Sequence, residues 1–158
     1  MVVRNVIIIF CFLLSGILLG QIAVTNAPPF DTEQYIVNNV LLGDDLQTSN
    51  WSWQNGDTNI GYFDGNTANI GFEEGIVMST GGINFVVDGN GVGSGMAGDT
   101  DLETALTELG MTGFSVNNVT ILEFDFIANS ESVSFNYVFG SMEYTGFTCS
   151  SFNDVFGF

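Results

Sequence analysis

Positive charge is almost missing from this chain: Arg4 is the single basic side chain, lysine and histidine are absent, and eighteen aspartates and glutamates lie downstream of Phe30. A chain so built has nothing with which to neutralise a phosphate backbone or clamp a nucleotide, and it lacks the commonest general base. Nucleic-acid binding, nucleotide binding and most hydrolytic chemistry lose their usual tools. Cysteine is nearly as scarce, with only Cys11 and Cys149. Cys11 falls inside an N-terminal apolar run, so Cys149 has no cysteine to pair with beyond that run, and an internal disulfide framework is excluded. Both prolines, Pro28 and Pro29, sit in one extended lead-in, Thr25 to Phe30.

What is present begins with that run. Behind the weakly basic Met1 to Arg4, the residues from Val6 to Leu19 are almost unbroken in their apolarity, and Gly20 closes them. The run is shorter than the roughly 20 residues that span a bilayer. It reads as a signal peptide over residues 1–20 with cleavage near Gly20, followed by one domain over 21–158; an uncleaved N-terminal anchor is the plain alternative. A lipoprotein is rejected because Phe10, not a small residue, precedes Cys11. Cleavage removes Arg4 and leaves every acidic group without a basic one. Such a chain repels anionic surfaces and other copies of itself and concentrates cations nearby. It is nonetheless 46% hydrophobic with fifteen phenylalanines, which separates it from acidic disordered tails.

Asp31 with Gln34 three residues later makes a capping-box pattern ahead of Tyr35, Ile36, Val40 and Leu41 at helical spacing, with Gly43 as stop. Short runs then follow, at Trp51 to Trp53, Ile60 to Phe63, Gly75 to Ser79 and Ile83 to Val87, separated by Asn-Gly, Asp-Gly and Gly-Gly pairs that signal turns between strands. A second capping box at Thr100 to Glu103 opens a helix of about two turns with Leu102, Ala105, Leu106 and Leu109 on one face and Gly110 past its end. Strict alternation marks strands at Leu122 to Phe126 and Val133 to Phe139, and Asp154 to Phe158 begins another. The expected fold is mainly β, an antiparallel β-sandwich of jelly-roll-like form with two short helices. An aromatic strand ending at Phe158 is expected to be cut short, with at least one further strand beyond it.

Six ordered motifs bear on family. They are Val24 to Thr32 running on through Val40 to Gly43, Asn69 to Phe72 through Gly75 to Gly81, Gly98 to Leu102, Ile121 to Phe126, Val133 to Ser141 and Ser151 to Phe158. Together they resemble the choice-of-anchor L domain of bacterial surface and secreted proteins, over the front portion of that domain. The resemblance implies export, membership of a larger surface protein, and a variable C-terminal anchoring or sorting segment, including that of the type IX route, outside this chain. It departs from the family pattern after Ser141, where members commonly show Glu-Glu-Tyr-Pro-Glu and this chain has Met142 to Gly146, with Glu143 alone to serve any site.

Calcium is the sharpest chemical expectation. Hard cations take six to eight oxygen ligands, which acidic glycine-rich turns supply at short spacing. Asp99, Asp101, Glu143, Asn153 and Asp154 are the candidate ligands; the plainer reading is that Asp99 and Asp101 serve a helix N-terminus. Asp64-Gly-Asn66 and Asp88-Gly-Asn90 read as turns. Gly93 to Gly98 matches GxGxxG, but Asp99 and Asp101 at the helix mouth would repel a pyrophosphate, so a surface loop explains it. Glu123, Asp125 and Glu143 could in principle form a glycosidase pair, although outward acids are the expected wet face of a sheet. Trp51, Trp53, Tyr62 and Phe63 raise carbohydrate binding against a packing role. Sequons at Asn50 and Asn118 carry little weight.

The sequence thus points to a non-catalytic module of a secreted or cell-surface bacterial protein, in adhesion or surface architecture, with calcium as the one cofactor to consider. The alternative is a carbohydrate-binding module and the outsider a carboxylate-dependent glycosidase. Its partner would be an extracellular polymer, glycan or protein; membrane contact would come only through the signal peptide or an anchor outside this chain.

Overall fold

The computed structural model describes residues 20–42, 46–89, 95–141, 145–150 and 154–158. Two antiparallel sheets organise them. Strands β1 (Ala23–Thr25), β3 (Ile60–Asp64) and β4 (Glu74–Met78) form the first, with β3 in the middle, and β2 (Thr48–Gln54) pairs with β5 (Ile121–Phe126) in the second. In the first sheet Phe63 stands opposite both Val24 and Gly75. The Phe63 ring covers Gly75 so closely that a Cβ there would lie 2.8 Å from Cε1. In the second sheet the register shifts between Ser49 and Ser52, where Asn50 takes φ 54°. An extra residue in one strand and a left-handed backbone are the marks of a β-bulge. The antiparallel, turn-rich part of the sequence reading holds, whereas a three-stranded and a two-stranded sheet do not by themselves make the expected jelly-roll-like sandwich.

The helices need more correction. The first starts one residue later than the capping box suggests: Thr32, in extended conformation, is the N-cap, and its Oγ1 accepts from the Tyr35 N–H at 3.4 Å. Helix α1 (Glu33–Tyr35) then widens into a π-helical segment, Ile36–Leu41, which the Leu42 N–H closes on the Val37 carbonyl. Two one-turn helices, α2 (Gly56–Asn59) and α3 (Phe85–Asp88), add to the two expected. Ile83 to Val87, expected as a strand, is therefore mostly helical. A four- to five-residue apolar run does not distinguish strand from helix, and here Gly89 at φ 67° ends a helical turn by donating to the Phe85 carbonyl.

Helix α4 (Thr100–Glu108) is capped by Asp99, not by Thr100. Its Oδ1 accepts from the N–H groups of Asp101 and Leu102 at 3.0 and 2.9 Å. Glu103, expected to close a capping box, instead accepts from the Val116 N–H at 3.1 Å and ties the helix to the following loop. The C-terminus matches the sequence reading: Gly110 at φ 81° donates to Thr107, and Met111 donates to Leu106. That pair of bonds is a Schellman motif, which needs a residue tolerant of positive φ where Gly110 stands.

Val133 to Phe139 and Asp154 to Phe158, both expected as strands, carry no ladder. Alternation fixes an extended form and a common face, but a ladder also needs backbones brought within about 4.8 Å. These two segments meet through their rings instead. Phe135 and Phe158 have centroids 4.0 Å apart, and Tyr137 and Phe156 5.5 Å.

Ile36, Val37, Ile60, Ile83 and Val119 form the buried apolar core, each contributing about 2 kcal/mol by leaving water. Asn59 is buried as well, and both polar atoms of its amide have partners. Its Nδ2 donates to Thr120 Oγ1 at 3.0 Å, and its Oδ1 accepts from Thr58 Oγ1 at 2.8 Å. Among the described residues no helix is long and apolar enough to cross a membrane. Most of the expected signal peptide, residues 1–19, lies outside them.

Candidate functional site

A cleft of about 230 Å³ opens where the first helix meets the first sheet, lined by Phe30, Tyr35, Asn39, Val40, Tyr62 and Glu74. Phe30 lies on Tyr62 with centroids 4.5 Å apart and planes at 17°, and Tyr35 meets Phe30 edge-on at 5.5 Å and 84°. These are the two favoured geometries for ring quadrupoles. Tyr62 stands opposite Ile76 in the β3/β4 ladder, which makes Glu74 its diagonal neighbour on the same face. The Tyr62 hydroxyl donates to Glu74 Oε2 at 2.8 Å. That bond, with desolvation and the charges of Glu74 and Asp64, pushes the phenol up to about 12. Asp64 is directly opposite Glu74. Its Oδ1 accepts from both the N–H and Nδ2 of Asn66 at 2.9 Å, which holds its carboxyl below the usual range. Two acidic residues thus stand opposite one another across the strands at this end of the sheet, and like charges so placed are destabilising.

Of the expected calcium ligands, Asp99 caps α4 and Asp101 sits in its first turn, while Glu143 and Asn153 lie outside the described residues. Asp154 is exposed. Its segment does approach the helix, because a Cβ on Gly157 would lie 3.0 Å from Leu102 Cδ2. Among the described residues no group of three or more acidic or thiol side chains is placed to hold a metal ion.

Glu123 and Asp125 project from β5 into solvent, and both face β2. Asp125 Oδ2 accepts from Asn50 Nδ2 at 2.6 Å, and Glu123 Oε2 accepts from Ser52 Oγ at 3.5 Å. Three of the four rings raised for carbohydrate have local work. Trp51 Nε1 donates to Thr48 Oγ1 at 2.9 Å, Phe63 covers Gly75, and Trp53 donates to Asp57 Oδ1 at 3.2 Å. The Trp53 ring lies so close over Gly56 that a Cβ there would meet Cδ2 at 2.1 Å. Tyr62 lines the cleft described above. In the glycine-rich loop, Gly98 is required because a Cβ would strike the Val116 carbonyl oxygen at 1.8 Å, which explains it without a phosphate. Asn118, at a sequon, uses its Oδ1 to accept from the Met96 N–H at 3.0 Å.

The sequence reading missed two features. Phe30, Asn39 and Glu74 gave no pattern of their own and Tyr35 read only as one position of a helical face, since the four converge with Tyr62 only through sheet register and helix docking. The second is an exposed strip of rings formed by Phe135, Tyr137, Phe139, Phe156 and Phe158, with Tyr137 at its centre and 61% exposed. Its signal was the alternation already read, taken for a sheet face.

No match to the chain was found among curated proteins or among solved structures. A family model described as the choice-of-anchor L domain matches residues 24–158, which takes in both sheets, the cleft and the ring strip. The chain belongs to the choice-of-anchor L family.

Proposed function

We propose that this chain is a non-catalytic module of a secreted or cell-surface protein, acting in adhesion or surface architecture by holding an extracellular polymer. The observation that carries the reading is family membership over residues 24–158, because the family points to surface-associated proteins. The ring strip supports it. Singly exposed apolar residues are normal, but five adjoining rings on one face mark a surface of interaction. The test is retention of the labelled full chain on envelopes of the producing cells. Saturable retention that falls severalfold in Tyr137→Ser is expected; retention unchanged by that substitution, or none, contradicts the role given to the strip.

A carbohydrate partner is the second reading, and what favours it now is the strip and not the tryptophans. Aromatic faces open to solvent stack on apolar faces of sugars, and Tyr137 adds a polar handle. A glycan array decides between a glycan and a protein partner. Release of reducing sugar that disappears in Glu123→Gln would overturn the non-catalytic reading.

Calcium stabilisation is the finest part of the proposal. Its support is the approach of the segment bearing Asp154 to the helix bearing Asp101, next to which Glu143 and Asn153 would have to complete the oxygen shell. A rise in melting temperature on adding millimolar calcium to chelated protein is the expected outcome; an unchanged temperature removes calcium from the account.

A further inference from the structure

We infer that the Phe30–Tyr35–Tyr62–Glu74 cleft is a binding site for an organic ammonium group, such as a quaternary or methylated amine at the end of a larger ligand. This goes beyond the polymer-holding role and stands independently of it.

The first ground is the lining. Three aromatic rings, one carboxylate and one amide surround the cleft, and none of its side chains is cationic. Ring faces carry the negative pole of the quadrupole, so they attract a cation and gain most where its surface is apolar. An anion would meet a carboxylate and ring faces with no cationic side chain to offset them.

Charge supplies the second ground. Glu74 stands directly opposite Asp64, and Asp64 has its hydrogen bonds from the neutral Asn66, not from a cation. Elsewhere such a pair would recruit a lysine or arginine. This chain has one basic side chain in total, Arg4. A cation arriving from outside relieves a repulsion that the protein has scarcely any means of relieving itself.

Size and order supply the third. At about 230 Å³ the cleft falls below the roughly 300 Å³ at which small-molecule pockets usually begin, so it suits a head group rather than a whole ligand. The rings are already organised. Phe30 is held between a stacked and an edge-on neighbour, and Tyr62 is fixed by its bond to Glu74. Little side-chain entropy remains to be lost on binding.

The experiment is a titration of the full chain with tetramethylammonium chloride at constant ionic strength, read by amide shifts of Tyr35, Tyr62 and Glu74 in two-dimensional NMR. Sodium chloride, calcium chloride and methyl glucoside serve as comparisons. Saturable shifts confined to the cleft are expected with tetramethylammonium, and Tyr35→Leu and Glu74→Gln should each weaken binding about threefold to tenfold. Glu74 is exposed, so Glu74→Gln leaves the fold intact, which an unchanged spectrum away from the cleft checks. The inference is overturned if tetramethylammonium gives no saturable shift, if sodium or calcium produces the same shifts, or if the neutral sugar binds there instead. None of these outcomes bears on retention by the ring strip, so the two readings stand or fall separately.

Discussion

Asn59 and Thr120 join the two sheets through one part-buried bond, Nδ2 to Oγ1 at 3.0 Å. Asn59 immediately precedes β3 and Thr120 immediately precedes β5. The same Thr120 hydroxyl donates to the Ser79 carbonyl at 2.8 Å, and the Ser79 N–H donates back to the Asn59 carbonyl at 2.9 Å. The circuit links the start of one strand in each sheet to the residue after β4. Removing the Thr120 hydroxyl leaves the buried Asn59 amide short of a partner, which costs more than the bond itself contributes. Thr120→Val, which keeps the shape, should lower stability by about 1–3 kcal/mol in urea denaturation. Asn59→Ala should cost a similar amount, and the double variant less than the sum; strict additivity would show that the circuit does not act as a unit.

Asp99 provides a second prediction, one that separates capping from calcium binding. Asp99→Ala should lower stability by about 1 kcal/mol in the presence of a chelator, and Asp99→Ser should recover most of it, since either oxygen can accept from the N–H groups of Asp101 and Leu102. If the loss appears only when calcium is present, the carboxylate serves an ion and not the helix.

The Tyr62 phenol provides a third. Its pKa is raised above the ordinary value of about 10 to about 12, chiefly by donation to Glu74. A pKa raised in the fold means that the bond's contribution is complete below about pH 10 and is lost as pH climbs towards 12. Ultraviolet titration should show a late-ionising tyrosine that Tyr62→Phe removes, and Glu74→Gln should move it back towards the ordinary value. The absence of a late-ionising component assigned to Tyr62 contradicts the bond.

The strip provides a fourth. Because Tyr137 is exposed and takes part in no ladder, Tyr137→Ser should change stability by less than about 0.5 kcal/mol while reducing retention on envelopes. A large drop in unfolding midpoint would instead assign the ring to the core.

How far the sequence could be read depended on whether a feature was local. Gly110 and the bonds it makes are local, and the helix end falls where the spacing puts it. Leu122 to Phe126 forms a strand because alternation against a half-buried face leaves little choice. The N-caps slipped by one residue, from Asp31 to Thr32 and from Thr100 to Asp99, because adjacent oxygen-bearing side chains compete for the same N–H groups and sequence does not rank them. Ile83 to Val87 was ambiguous by length, and Gly89 decided it. Val133 to Phe139, expected as a strand, carries no ladder, because pairing depends on a neighbour that alternation cannot name. The cleft was least legible: Tyr62 was singled out as an aromatic, but Phe30, Tyr35 and Glu74 reach it only through the β3/β4 register and the docking of the first helix.

The central claim is that this chain works outside the cell, and the most direct measurement is where it resides. Producing cells, culture medium and stripped envelopes should be separated and the chain detected in each, with protease added to intact cells and the mature N-terminus determined. The account predicts protein in the medium or on the protease-accessible surface, beginning near Gln21. Full-length protein beginning at Met1, protected from protease and confined to the cytosol, would contradict it.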